Sequence, residues 1–483
     1  VRKTFRKAYF KALAQYFEVS HGMARTDARA LANAVRENVA GKPALQNGDE
    51  YGAAVEEWLP RHQQENGFEP IPAGEARRAH EYAMRTAESD TDDATFQAME
   101  ALVHNLNTMN SRAGAQVPFS SINYGTDTSP EARMVIRNLL LATEDGLGDG
   151  ETPIFPVQIF KIKEGVNFNP GDPNYDLFRL AIRTSAKRLF PNFSFLDAPF
   201  NLQYYKPGDY DTEVAYMGCR TRVMGNVHDP DRQVTCGRGN LSFTSINLPR
   251  IAIEAKGDLK KFYKTLDDRM ELVIRQLLHR FKIQCGKKVY NYPFLMGQGV
   301  WIDSDKLGPD DSVAEVLRHG TLSVGFIGLA ETLKALTGKH HGESPESQKL
   351  GLAIIGHMRE RMDEESRRTG LNFTLLATPA EGLSGRFLRI DQKKYGKIPG
   401  VTDRDYYTNS FHIPVYFPIS AFKKIELEAP YHALTNAGHI SYVELDGDVC
   451  PRCGRREGEG VSIEKLRELR KKYPSMPRFV GLE

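Results

Sequence analysis

The chain has 483 residues, of which 40% are hydrophobic, 26% charged and 10% aromatic; that is enough for two or three ordinary domains or one large α/β barrel, and it excludes wholesale disorder. Lys+Arg number 64 against 62 Asp+Glu, a formal charge of +2, so there is no general electrostatic case for a nucleic acid or an anionic membrane as partner. The 5 cysteines, at 219, 236, 285, 450 and 453, are too sparse for a disulfide framework, and no stretch approaches the ~18 apolar residues of a membrane span, so a reducing, cytoplasmic setting is expected.

The chain opens at Val1 with no Met and no signal-peptide pattern, and residues 1–18 already read as helix interior. Phe5, Tyr9, Leu13 and Phe17 recur every four residues, with Arg2, Arg6, Lys7 and Lys11 off that stripe. A helix without a cap signal predicts that something upstream is missing. Asp27 to Val39 is the next expected helix, with Thr26 as N-cap. Residues 40–75, rich in Gly, Pro, Asn and Glu, read as a solvated excursion. Residues 92–110 form a further helix with Phe96, Met99, Val103, Leu106 and Met109 on one face.

From about residue 116 short apolar runs alternate with helical patterns. Strands are expected at Ile154–Ile162, Leu241–Ile246, Leu322–Ile327, Phe373–Ala377, Phe411–Phe417 and Ile440–Leu445. Helices are expected at Asp176–Leu189, Leu259–Lys282, Val313–Arg318 and Lys349–Thr369, the second with a buried stripe of Phe262, Leu266, Met270, Val273 and Leu277. Such alternation over 300 or so residues argues for an α/β architecture with a largely buried sheet. The tail, 446–483, is polar, Gly-rich and basic, with one short helix around Ile463–Lys472.

Common site patterns fail. Gly237-Arg238-Gly239 lacks the third glycine of a dinucleotide fingerprint, Gly325 and Gly328 are wrongly spaced, and no Gly-Lys-Ser/Thr closes a phosphate loop. His340-His341 lie between Gly338 and Gly342 and read as a solvated turn rather than metal ligands. Cys219 follows a glycine that leaves its approach to a ligand unobstructed, although an inert buried thiol fits the spacing as well. The glycine-rich turn at Cys236–Gly239 feeds a strand and sets Asn240 at its entrance, where a plain turn-forming Asn is the competing reading. Thr378-Pro379-Ala380-Glu381 follows an apolar strand; Thr378 as N-cap and Pro379 as first helical residue would open a helix whose free N–H groups suit a phosphate chain, or make an ordinary capped helix. Cys450-Pro451-Arg452-Cys453-Gly454 has the spacing of half a tetrahedral zinc site, with a redox dithiol as alternative.

Several stretches together carry a resemblance. They are Ser111-Arg112-Ala113-Gly114 through Gly125-Thr126-Asp127-Thr128; Thr152-Pro153-Ile154-Phe155-Pro156; Asp172-Pro173-Asn174-Tyr175-Asp176; and Met217-Gly218-Cys219-Arg220. Then come Gly237 to Asn240, Asn247-Leu248-Pro249-Arg250-Ile251, Thr378 to Glu381, Tyr407-Thr408-Asn409-Ser410-Phe411-His412 and Gly438-His439-Ile440-Ser441-Tyr442. In this order they resemble the anaerobic (class III) ribonucleoside-triphosphate reductases, which are glycyl radical enzymes.

The resemblance implies a ten-stranded α/β barrel of two antiparallel five-stranded halves with surrounding helices, and a finger loop carrying a cysteine into it. It implies three parts: a helical N-terminal part on the dimer and effector side (1–115), the barrel core (116–445) and a partial zinc-knuckle region (446–483). Cys219 matches the cysteine that, as a thiyl radical, abstracts the ribose 3′-hydrogen of a ribonucleoside triphosphate; such a radical demands a dry, enclosed site. Asn240 matches a position that orients the ribose hydroxyls or the reductant, and its presence implies formate as reductant. Thr378, Pro379, Ala380 and Glu381 match a loop at the substrate phosphates, and Asn409, Ser410 and His412 fall on a motif expected to line the same cavity. Cys450 and Cys453 match one of the family's two zinc-binding pairs. Implied partners are a radical-S-adenosylmethionine activase, nucleotide effectors (ATP and deoxynucleotides) and a second copy of the chain, with no membrane or nucleic acid. The departures are a missing glycyl radical loop, for which Gly481 is a poor match, a missing upstream cysteine and a missing second zinc pair. They predict a longer natural chain; the alternative is a non-catalytic nucleotide-binding paralogue or remnant.

Overall fold

The computed structural model describes residues 1–39, 48–66, 71–110, 116–443 and 479–480. They fall into two compact units, one of Val1–Pro118, Gly125–Pro156 and Gly165–Thr184, the other of Phe119–Tyr124, Val157–Glu164 and Ser185–Glu483.

The first unit is helical: α1 Arg2–Ser20, α2 Arg25–Asn38, α3 Gly48–Asn66, α4 Ala73–Thr108, α5 Pro130–Asp145 and most of α6 Tyr175–Arg188. The expected α1 stripe is real, since Phe5, Tyr9, Leu13 and Phe17 are all buried. They pack with Leu31 and Val35 of α2, Tyr51, Val55 and Leu59 of α3, and Ala76, Ala79, Ala83 and Ala87 of α4. Large residues face a run of alanines, which lets helices approach closely and interdigitate. Helix α2 begins at Arg25 with Ala24 as its N-cap, so Thr26 does not cap it; its hydroxyl donates to Asp27 Oδ1 instead. The expected excursion over 40–75 is overturned within 48–66, which is helix. Burial of Tyr51, Val55 and Leu59 at four-residue spacing outweighs the turn-forming composition around them. The helix expected over 92–110 is the end of the 36-residue α4; Val103 within it is buried, while Met109, the residue just past its end, is exposed.

Two stretches quoted above for the resemblance serve the frame of this unit. Asn167 and Asn174 donate to Gly125 O (3.0 and 3.1 Å), and Asn174 also to Asp127 O (2.8 Å). Arg133 of α5 reaches Asn174 Oδ1 (2.8 Å) and Asp176 (2.8 Å). These buried amides satisfy backbone carbonyls that would otherwise be stranded.

The second unit carries the strands. Parallel β1 Ser121–Tyr124, β2 Val157–Ile162 and β3 Asn192–Phe195 form one sheet in that order; parallel β6 Asn240–Asn247, β7 Thr321–Ile327 and β8 Asn372–Ala377 form another. A short antiparallel hairpin, β4 Tyr216–Met217 and β5 Thr221–Arg222, and the parallel pair β9 Ser441–Tyr442 and β10 Phe479–Val480 complete the set. The helices are α7 Pro199–Leu202, α8 Leu248–Ala255, α9 Leu259–Cys285, α10 Ala314–Leu317, α11 Leu329–Thr337, α12 Pro345–Thr369, α13 Glu381–Tyr395 and α14 Ala421–Leu434. Strands β7 and β8 are buried throughout, as an all-parallel sheet requires. One core joins Ile246, Val324, Phe326 and Leu375 of the sheet to Leu248 of α8, Phe262, Leu266, Met270 and Leu277 of α9, and Ile354 and Met358 of α12. The strand–helix alternation makes this an α/β fold, with its strands in two three-stranded sheets and two pairs among the described residues.

Two expectations are corrected in this unit. Residues Phe411–Phe417 are not a strand; the Ile413 N–H that a ladder would use donates to Glu428 Oε1 (2.8 Å), and Pro414 cannot donate at all. His340 and His341 are not solvated, being 4% and 1% exposed. His341 Nε2 bonds Phe411 O (2.8 Å) and its ring lies edge-on to Tyr431.

Candidate active site

Cys219 stands at the tip of the β4–β5 hairpin, where Tyr216 pairs with Arg222 and Met217 with Thr221. Asn123 on β1 holds the incoming strand by donating to Tyr216 O (2.8 Å) and accepting from Tyr216 N–H (2.9 Å). Gly218 N–H donates to Ser121 Oγ (3.0 Å). The outgoing strand is held by Arg222 N–H donating to Ala437 O (2.8 Å), while Gly438 bridges both Thr221 and Leu376 of β8. A Cβ on Gly438 would collide with the Arg220 carbonyl and lie 2.8 Å from Thr221 Cα, so only glycine lets these backbones meet. Cys219 is a free, half-buried thiol, more open than the inert buried thiol of the competing reading.

The tip lies beside the end of β8. The Arg220 guanidinium, 2% exposed as a residue, reaches Ala377 O (3.5 Å), Thr378 O (3.4 Å) and Tyr442 Oη (3.0 Å). Burial works against its charge, but Tyr442 and Cys219 beside it hold its pKa above the usual value. Thr378 then meets the neighbouring strands, its Oγ1 standing 2.8 Å from Ser245 Oγ of β6. Gly325 on β7 makes room for that contact, since a Cβ there would fall on the Thr378 hydroxyl and 2.8 Å from Ser245 Oγ.

Thr378 is therefore not an N-cap, and Pro379 is not the first helical residue. Helix α13 begins at Glu381, with Ala380 before it, and the Thr378 hydroxyl is occupied by Ser245. Ala380 N–H donates to Asn409 Oδ1 (2.8 Å), which joins the 378–381 loop to the 407–413 segment. Glu381 is exposed and takes a φ of +35, which bends the chain into the helix.

Two buried carboxylates clamp the 407–413 segment. Asp391 on α13, 0% exposed, accepts from Tyr407 Oη (2.8 Å), Asn247 Nδ2 (2.8 Å) and Arg250 Nε (2.7 Å). Glu331 on α11 accepts from Thr408 N–H (2.9 Å) and Thr408 Oγ1 (2.6 Å), and burial pushes its pKa up. Ser410, at φ +41, buries its hydroxyl with no hydrogen-bond partner among the described residues. His412 is 5% exposed; its Nδ1 lies 3.3 Å from Glu428 Oε2, and its Nε2 likewise has no partner among the described residues.

Asn240 opens β6 at the opposite end of the sheet from Thr378, opposite Thr321 in register. Its Nδ2 donates to Thr321 Oγ1 (3.0 Å) and Ser323 Oγ (2.6 Å), which fixes the carboxamide. The incoming hairpin strand passes close by, since a Cβ on Gly239 would lie 4.0 Å from Met217 Sδ.

The structure thus gathers Cys219, Thr378, Ala380, Asn409 and, through Arg220 and Tyr442, His412. Asn240 is joined to them through its neighbour Gly239, which comes close to Met217 of the hairpin. Cys450, Cys453, Gly481, the helix expected around Ile463–Lys472 and the Ser111–Gly114 stretch lie outside the described residues. Among the described residues no group of three or more His, Cys, Asp or Glu could hold a metal. The sequence motifs miss Ser245, Glu331, Asp391 and Glu428, which carry no local signal; Arg220 and Tyr442 fall inside the stretches quoted above. A half-buried thiol close to fixed hydroxyls, amides and one guanidinium suits reaction at sulfur on a polar ligand.

Residues 10–455 match the sequence profile of the family described as anaerobic ribonucleoside-triphosphate reductase. The anaerobic ribonucleoside-triphosphate reductases of Salmonella typhimurium and Escherichia coli are each 37% identical over 362 residues, 74% of this chain and 49% of theirs. That of Enterobacteria phage T4 is 36% identical over 370 residues, 75% of this chain and 58% of its own. The chain spans about half the length of the bacterial relatives. In fold it is similar to the anaerobic ribonucleotide reductase from Thermotoga maritima, with a TM-score of 0.55 at 14% identity, covering 99% of this chain and 80% of that one. Another structure of that enzyme, in complex with dATP and CTP, gives 0.54 at 14% identity.

Proposed function

The chain belongs to the anaerobic ribonucleoside-triphosphate reductase family, and from that premise we propose that it forms the catalytic core that reduces ribonucleoside triphosphates to 2′-deoxyribonucleoside triphosphates, with formate as reductant. The observation that carries this is the convergence of Cys219 with the 378–381 and 407–413 segments at the end of β8. In this reading the Cys219 sulfur radical takes the ribose 3′-hydrogen: an S–H bond forms, a C–H bond breaks, and the unpaired electron moves to C3′. A glycyl radical would supply that unpaired electron by taking the hydrogen of the Cys219 thiol.

The chain's own residues hold the substrate. Thr378 to Glu381, with Asn409 and Ser410, would face the phosphates and sugar; Asn240 would orient the ribose hydroxyls or formate. Arg220 is the cation next to Cys219 along the chain. The strands are proposed to close as a ten-stranded barrel, with 116–445 as its core. Residues 1–115 would form the dimer and effector side, binding ATP and deoxynucleotides. Cys450 and Cys453, in 446–483, would provide two zinc ligands. A radical-S-adenosylmethionine activase is the partner this reading requires. No helix among the described residues is long and apolar enough to cross a membrane.

The test is reduction of ribonucleoside triphosphates by the full-length protein after anaerobic activation. Cys219→Ala should cut turnover at least about a thousand-fold, as loss of a reacting group does. Normal turnover in that variant would overturn the assignment.

A further inference from the structure

The residue after Cys219 is anchored in an unusual way. Arg220 is 2% exposed, yet among the described residues no ion pair joins it to a carboxylate; its guanidinium bonds two carbonyls and the Tyr442 hydroxyl and lies beside the Cys219 side chain. Its Nε has no partner among the described residues. Burying a cation without an anion is costly, so what the guanidinium returns is geometry: its rigid fork fixes residue 220 against the end of β8.

Tyr442 is itself braced from behind. Its carbonyl accepts from Lys424 Nζ (2.7 Å). Its ring stands 5.4 Å from that of His412 and 5.5 Å from the Arg220 Cζ. His412 in turn leans on Glu428, which is 0% exposed, accepts from Ile413 N–H (2.8 Å) and lies 3.5 Å from Lys424 Nζ. Burial pushes Glu428 up, but Lys424 and the hydrogen bond from His412 hold it down, so it stays an anion. Burial keeps His412 neutral, so Nδ1–H donates to Glu428 and the buried Nε2 is left as an acceptor. Helix α14, the 407–413 segment and β9 therefore converge on one guanidinium.

We infer that Tyr442 and His412 are positioning residues that act through Arg220 to hold the Cys219 thiol in place. This rests on reading Cys219 as the hydrogen-abstracting residue. Atom transfer needs the reacting atoms almost in contact, and a displacement of about 1 Å can cost around a hundred-fold in rate. On its other side Gly218 is held by its N–H on Ser121 Oγ (3.0 Å), so the Arg220 anchor is what fixes the tip against the end of β8.

The test uses Tyr442→Phe, which keeps the ring and removes the hydroxyl. In the folded full-length protein, alkylation of Cys219 by iodoacetamide, read peptide by peptide, should quicken several-fold, while Cys236 and Cys285 react as before. In turnover, kcat should fall about ten- to a hundred-fold with KM nearly unchanged. His412→Gln should show the same pattern more weakly, and Lys423→Ala, an exposed change on the same helix, should show none. Should Tyr442→Phe fail to fold, Arg220→Lys keeps the charge, loses the fork and should quicken Cys219 alkylation in the same way. Unchanged Cys219 alkylation in the folded variant overturns the inference. Full turnover in Cys219→Ala would instead sink the catalytic reading and leave the anchor standing.

Discussion

The helical unit and the sheet-bearing unit solve the problem of a stable interior differently. Among the described residues of the first unit, no Asp, Glu, Lys, Arg or His is buried; its core is Phe, Tyr, Leu, Val and Ala. Its charges pair nearer the surface, as Arg77 does with Glu81 and Arg183 with Glu144. The second unit buries Glu331, Glu365, Asp391 and Glu428, with Arg220, Arg222 and Arg238 and several histidines. An apolar core is specified by volume and tolerates exchange, whereas a buried charge is specified by its partners and tolerates little. The chain keeps buried charge where loops must be held to a fixed geometry.

The sharpest way to break this contrast is an exchange of nearly equal volume in each unit. Asp391→Asn keeps the shape but strips the charge that Arg250, Asn247 and Tyr407 share; a loss of about 3 kcal/mol or more is expected. Leu13→Met in the first core should cost under about 1.5 kcal/mol. Denaturant midpoints of the two variants decide it, and a milder effect at Asp391 would undo the contrast.

Acid should separate the units next. Burial pushes His341 down to about 4 and His432 to about 3, against an unfolded value near 6.5. As pH falls below about 6.5 the unfolded chain takes up protons that these folded histidines refuse, so stability is lost progressively towards pH 4 and 3. Glu428, held at about 2, adds a further loss as pH drops below the unfolded carboxylate range of about 4.3. Summed over the whole range, the shifts amount to something on the order of 10 kcal/mol. Hydrogen exchange between pH 7 and 4 should show the second unit opening first; equal loss of protection in α1–α4 would contradict this.

Glycines give a smaller contrast within the second unit. Gly438→Ala forces a methyl against the Arg220 carbonyl and should cost about 1–3 kcal/mol. Gly356→Ala, in α12 with nothing within 4 Å, should stabilise by about 0.5–1 kcal/mol. Thermal melts of the two should move in opposite directions. Smallest of all, Arg77→Ala should change stability by less than about 0.5 kcal/mol, because its partner is exposed.

Legibility in the sequence followed the range of the interaction. The stripes of α1 and α9 and the strands β6, β7 and β8 announced themselves, because local periodicity reports which face is buried. Helix α3 was hidden by the Gly, Pro and Asn around it, although Tyr51, Val55 and Leu59 carried the signal. Strands β1 and β3 are four residues each, too short for a pattern. The candidate site was half visible: Cys219 and Asn240 sit beside glycines that mark a turn, while Asp391 and Glu428 look in sequence like solvated helix residues.

What the residues settled unaided is the alternation of strand and helix, the amphipathic frame of the first unit and, through its ordered motifs, the family. Those follow from contacts between near neighbours along the chain. Folding alone decided that Gly438 would let the hairpin touch β8, that Asp391 would gather Asn247, Arg250 and Tyr407, and that Tyr442 would brace the arginine behind Cys219. Each of these joins residues tens or hundreds of positions apart, and the cost of burying a charge can be weighed only once its partners are in place.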